Sequence, residues 1–153
     1  MAAEICEYLR HQRRLGMIKR FLDAQRDVYP QALQEIRSGR KQSHWIWYIF
    51  PQLKGLGHSD MAQYYGIHDL DEAKEYLAEP TLRANLLEIS QALLDLPDKN
   101  PRDVMGYPDD LKLRSSMTLF AAAGPDIPVF RQVLDKFFQG IPDEKTIKLL
   151  SAD

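Results

Sequence analysis

Apolar residues recur along most of this chain at intervals of three and four, and proline or glycine cuts each run short. That rhythm confines the chain to short packed helices, because such a period lays one apolar stripe along a helix and none along a strand. In the first run Ile18, Phe21, Leu22, Val28, Tyr29, Ala32, Leu33 and Ile36 share a stripe, with Pro30 falling inside it. Proline disfavours α geometry in the residue before it and suits a first helical turn, so two helices are predicted here, about 18–28 and 30–38, with Gly39 as a stop.

The same signals divide the rest. The stretch His44 to Phe50 is nearly all apolar and fits either a buried strand or a turn and a half of helix; its helical surroundings favour helix. Ser59 precedes a short run ending at Gly66, and Asp69 stands at an N-cap before Leu70, Ala73, Tyr76 and Leu77. Pro80 opens a run carrying Leu82, Leu86, Leu87, Ile89, Leu93, Leu94 and Leu96, expected to be the central core helix, which the Pro97 to Pro101 stretch ends. Asp109 or Asp110 is expected to cap a helix reaching about Ala123 and Gly124, Pro128 opens another that stops before Gly140, and a last short helix follows Pro142. No period-2 alternation with hairpin signals, no internal repeat and no Gly/Ser linker interrupts the pattern. The expectation is an all-α fold, a compact multihelical single domain over residues 17–153, preceded by an N-terminal extension, residues 1–16.

Composition removes several classes of function. With 44% hydrophobic and 27% charged residues the chain is ordinary for a globular protein of 153 residues. The single Cys6 excludes an intramolecular disulfide and a thiolate-rich zinc site, as a reducing cytosol would tolerate, and a cytoplasmic location is expected. Glu4, Glu7, Arg10, Arg13 and Arg14 break up any secretory signal in the first residues, and no run approaches the ~20 apolar residues that span a bilayer, so no membrane role is expected. Charge is uneven: residues 1–54 sum to +5 and residues 55–153 to −7, which marks either an anion-binding surface or two halves that attract one another.

Two segments carry polar chemistry inside apolar surroundings. Arg37 to Gly57 sets Arg40, Lys41 and His44 against Trp45, Trp47, Tyr48 and Phe50, then turns through Pro51, Gln52, Gly55 and Gly57. Cations beside stacking aromatics hold phosphorylated nucleotides or single-stranded nucleic acid; equally, the tryptophans can be core and the cations can complement a helix C-terminus. In Asp109 to Phe120, Lys112, Ser115, Ser116 and Leu119 fall on one helix face. A lysine beside serine is the pairing used in Ser–Lys nucleophilic catalysis, although such serines more often pack closely while the lysine pairs with a neighbour such as Asp109.

The ligand-binding candidates are therefore Arg40, Lys41, His44, Trp45, Gln52, Lys112, Ser115 and Ser116, and the catalytic candidates are Lys112, Ser116, His44 and Asp110. His11, His44, His58 and His68 form no metal-ligand spacing, and neither the dinucleotide nor the phosphate-loop glycine motif occurs, so no metal and no cofactor is expected. His58, Ser59 and Asp60 are consecutive and cannot converge as a triad. The partner expected is a small nucleotide-like molecule, with nucleic acid second to it. The two segments are expected to meet, Gln52 and His44 lying within about 8 Å of Lys112 or Ser116, because buried polar groups require partners.

The blocks GRKQSHWIWYIFPQLKGLG from Gly39, SDMAQYYGI from Ser59, EAKEYL from Glu72 and DDLKLRSSMTLF from Asp109 resemble those of the domain of unknown function 1810 family, in the family order from about Phe21 to Gly140. The resemblance implies a small all-α cytosolic protein without an established activity, and leaves residues 1–16 outside the family pattern. A fainter similarity runs to the NAD and ADP-ribose associated N-glycosidases, through Ser59, Gln63, Tyr64, Tyr65 and Lys74, then Arg114 and Met117. It implies hydrolysis of an N-glycosidic bond, with Asp60 nearest to that family's acidic residue.

Overall fold

The computed structural model describes residues 1–152, apart from the side chains of His11, Arg14 and Leu15, and its described residues form helices joined by loops with no strand. The first departure from expectation is α1, one helix from Ala2 to Arg37 that runs straight through Pro30. An interior proline costs a helix about 3 kcal/mol, and packing on both sides of it offsets that cost. Ile18 and Phe21 before the proline and Ala32 and Ile36 after it enter the same core, while Pro30 itself is exposed. Next to it the Tyr29 hydroxyl reaches the Asn85 carbonyl, 3.0 Å, and the Glu88 carboxylate, 2.7 Å.

The segment from His44 yields one helical turn, α2 (Ile46–Ile49). After it come α3 (Asp60–Tyr64), capped by Ser59, and α4 (Leu70–Ala78), capped by Asp69, as the sequence indicates. Between them one isolated parallel bridge joins Leu53 to Ile67, with Ile67 N–H donating to Gln52 O at 2.9 Å and Lys54 N–H to Ile67 O at 2.8 Å. Gly66 makes this crossing possible: a Cβ there would lie 2.7 Å from the Lys54 Cβ. Arg20, almost wholly buried, clasps the crossing to α1 by donating to the Tyr64 and Gly66 carbonyls and pairing with Glu72 at 3.1 Å.

Pro80 opens α5 (Pro80–Asp95), whose exposed carbonyl end is closed by the Lys136 ammonium, 2.9 Å from Leu93 O and 3.0 Å from Leu94 O. A short helix that the sequence reading misses, α6 (Pro101–Met105), follows the Asn100 cap. The last three are α7 (Asp109–Ala123), α8 (Pro128–Phe138) and α9 (Glu144–Ser151). Neither Asp109 nor Asp110 caps α7: Pro108 holds that position, and both acids sit in the first turn, where the helix dipole favours them.

The centre of the fold is α7 rather than α5. It packs against α2, α4, α6, α8 and α9, and Leu113, Ser116, Met117, Leu119 and Phe120 on it have no exposed surface. Its hydroxyls disguise it as a half-polar helix. Ser115 and Thr118 turn theirs back onto the Leu111 and Arg114 carbonyls, at 3.1 and 2.8 Å, and so enter the interior already satisfied.

A candidate ligand cleft on the first half of α7

The basic, aromatic segment is ordered from behind by one carboxylate. Glu35, at the end of α1, accepts hydrogen bonds from the backbone N–H groups of Gln42 and Ser43 at 2.7 and 2.9 Å, from the Ser43 hydroxyl at 2.7 Å and from the Trp45 indole at 2.9 Å. Burial alone would raise the pKa of this carboxyl, but the converging donors outweigh burial and hold it at about 2. The loop therefore winds around a fixed negative charge, and Trp45 is pulled completely inside. With no exposed surface, Trp45 has nothing to present to a ligand.

Lys41 is similarly committed to the fold. Its ammonium pairs with Asp109 at 2.7 Å, donates to the Ser43 carbonyl and lies 4.9 Å from the Trp45 ring centroid, with its side chain 6% exposed. This pair joins the two polar segments, and a second contact supports it: the Lys112 ammonium lies 5.3 Å above the Trp47 ring and 3.4 Å from the other Asp109 oxygen. Arg40 and His44 stay exposed on the outer side of the loop and line no cavity beside α7.

Beside Lys112 the surface opens into a cleft of about 570 Å³. One wall is the turn holding Gln52, Leu56 and Gly57, the floor is the α7 face carrying Leu111, Lys112 and Ser115, and the far wall is the entry to α9, Ile141 to Lys145. That entry is strapped to α7. Arg114 Nε donates to the Ile141 carbonyl at 2.9 Å, and the Asp143 N–H donates to the Thr118 hydroxyl at 2.9 Å. Asp143 then caps α9 through Thr146, which leaves Glu144 as the carboxylate on that wall with no bond among the described residues. A small recess continues behind Gln52 and Lys112, bounded by Ile46, Trp47, Phe50 and Tyr65. The indole N–H of Trp47 is buried with no hydrogen-bond partner. An unpaired buried donor of this kind costs about 1–3 kcal/mol.

Of the residues singled out in the sequence, Gln52, Lys112 and Ser115 come together on the cleft. Ser116 lies one turn beyond Lys112, wholly buried with its hydroxyl unpartnered, and Asp110 is buried with one carboxylate oxygen unpartnered; neither lines the cleft. The sequence reading names Trp47 only among the aromatics of the basic segment and Arg114 only in the N-glycosidase resemblance, and it does not name Glu144 or Lys145. The last two lie far along the chain from both polar segments, and only the packing of α9 on α7 brings them close.

Fold and cleft together define a small helical domain with one mixed-charge, apolar-lipped groove beside its central helix. The chain belongs to the family of proteins of unknown function DUF1810, whose model matches residues 16–150. Its fold is also that of a conserved hypothetical protein from Mycobacterium tuberculosis, known from a crystal structure: the two are 43% identical with a TM-score of 0.86, over 88% of this chain and 96% of the other. Among curated proteins there is no match. Neither similarity is to an N-glycosidase. No helix among the described residues is long and apolar enough to cross a membrane.

Proposed function

We propose that the cleft binds a small phosphorylated, nucleotide-like molecule. The observation that carries this reading is the unpartnered buried indole N–H of Trp47, in the recess behind Gln52 and Lys112, with the Lys112 ammonium 5.3 Å over its ring, beside a groove whose lining includes the apolar Leu56, Leu111, Ile141 and Pro142. Lys112 and Lys145 supply charge for a phosphate, Gln52 adds an amide for orientation, and the apolar lip accepts a flat ring. Hydrolysis of an N-glycosidic bond in the same groove needs a carboxylate free of structural duty. Glu144 meets that requirement better than the buried Asp110, while Ser116 and His44 have no access to the groove.

An open basic track for single-stranded nucleic acid has less support. Lys41 is held in its pair with Asp109, and Arg37 reaches across to Glu88 at 4.0 Å, so the basic segment offers a strand few free cations. Thermal shift against ADP-ribose, NAD, mononucleotides, inorganic phosphate and short oligonucleotides tests the proposal. A ligand at a hundred times its Kd stabilises by about 2.7 kcal/mol. The expected result is stabilisation by a mononucleotide or ADP-ribose that Lys112→Met removes. Lys112 makes a partly exposed ion pair with Asp109 and one contact over the Trp47 ring, so its loss costs the fold about 1–2 kcal/mol. Stabilisation by oligonucleotides alone, or binding that survives Lys112→Met, overturns the assignment.

A further inference from the structure

The recess behind the groove has a narrower chemistry than the groove itself. It shares Gln52 and Lys112 with the groove and is otherwise walled by Trp47 and mostly apolar side chains, among them the buried Ile46, Phe50 and Ala62. Its room for the centre of a water-sized atom is about 10 Å³, which is enough for one such atom. The Lys112 ammonium and the Trp47 indole can only donate hydrogen bonds, while the Gln52 amide can donate or accept. The ammonium lies 5.3 Å over the Trp47 ring, and the indole N–H is buried without a partner. Trp45, two residues away, donates its indole N–H to Glu35 at 2.9 Å, so the unpaired indole belongs to the tryptophan that walls the recess.

These limits select an occupant. A group that meets two donors must be an acceptor, and a molecule that fails to accept from a buried donor binds more weakly for it. A phosphate brings four oxygens and a charge, whereas the space admits one atom and apolar walls penalise charge. A neutral carbonyl oxygen fits both limits, carried by a flat ring that stays in the groove. A ring N–H next to that carbonyl also gives the Gln52 amide a hydrogen to accept; an amino group in the same place turns its hydrogens toward Trp47 and Lys112. We propose that the recess takes the ring carbonyl of an oxo-substituted nucleobase, and that Trp47 sets a preference for oxo over amino rings by donating its indole N–H to that oxygen. Such selection rests on the groove binding a nucleotide-like molecule as a whole, with the phosphate lying in the groove toward Lys145.

Titration calorimetry of the full chain with matched nucleotides tests this. Inosine and adenosine monophosphates form one pair and uridine and cytidine monophosphates another, each pair exchanging an oxo for an amino group on the same ring. In the parent chain the oxo member of at least one pair is expected to bind at least about tenfold more tightly. Trp47→Phe keeps an aromatic ring beside Lys112 and removes the N–H, and it is expected to bring the two members of that pair within about twofold of each other. Because the readout is a ratio, a uniform loss of affinity through the altered ring leaves it unmoved. A second measurement needs no variant to bind: in ¹H–¹⁵N spectra of the parent, the Trp47 indole signal, assigned by its loss in Trp47→Phe, is expected to move downfield with the oxo nucleotide and not with its amino counterpart, while the Trp45 signal stays in place. Equal or reversed affinities within both pairs, with binding still dependent on Lys112, overturn the recess assignment and leave the groove standing. Absence of binding by any mononucleotide overturns both. A Trp47 signal that inorganic phosphate alone moves as far assigns the recess to a phosphate oxygen, and one that no nucleotide moves assigns the indole to a fixed water; either result overturns the carbonyl.

Discussion

Replacing Glu35 by glutamine keeps the shape of the side chain and removes the charge around which residues 42–45 are wound. The carboxylate accepts from two backbone amides, the Ser43 hydroxyl and the Trp45 indole, all within 2.9 Å, and from the Gln31 amide at 3.0 Å. Those donors hold its pKa at about 2 despite burial. Against an unfolded value near 4.3, at about 1.4 kcal/mol per tenfold change in acidity, the ionised form contributes on the order of 3 kcal/mol. Because the folded pKa is the lower one, that contribution is complete above about pH 4.3 and fades as the pH falls toward 2. Glutamine retains one acceptor oxygen but directs an N–H₂ at groups that are themselves donors, so most of the contribution is lost. In a domain of this size each kcal/mol moves Tm by about 2–4 °C. Glu35→Gln should therefore melt about 5–10 °C below the parent at pH 7 in calorimetry, and the gap should close as the pH approaches 2. Melting within about 1 °C of the parent at pH 7, or a gap that persists undiminished at pH 2, refutes the reasoning.

Arg20→Met should cost about 3–5 kcal/mol by chemical denaturation, since it strands the buried Glu72 beside two unpaired carbonyls; adding Glu72→Leu should recover part of that loss. Gly66→Ala forces a methyl group to within 2.8 Å of the Lys54 backbone and should destabilise by about 1–3 kcal/mol in the same assay. Lys136→Met leaves the last carbonyls of α5 uncapped, and hydrogen exchange should show its final turn opening more readily than in the parent, with little change in α7.

The clauses of local chemistry were readable before folding. Ser59 and Asp69 cap the helices they precede, and Pro80 and Pro128 open theirs, because cap and proline effects act over three or four residues and need no distant partner. Pro30 was misleading for the complementary reason: its local cost is real, but Phe21, Tyr29 and Ile36 bind one core from both sides of it and override that cost. Ser115 and Thr118 hid the central helix, since a hydroxyl that returns to its own backbone reads as polar in sequence and behaves as filler in the interior. For the cleft, the sequence marked Gln52, Lys112 and Ser115 and the fold brought them together, while it took Arg40 and His44 outward and closed Trp45 and Lys41 inward around Glu35 and Asp109.

The amino-acid sequence by itself determined an all-α chain, the places where most of its helices begin and end, and the absence of any recognised metal or nucleotide-loop motif, because each of those follows from periodicity, capping and residue inventory. Which helix lies at the centre, which cations are consumed by ion pairs, and which remote segment completes the groove were decided by tertiary structure alone. Those outcomes depend on contacts such as Lys41 with Asp109 and Arg114 with Ile141, whose partners lie 68 and 27 residues apart and whose pairing no local pattern encodes.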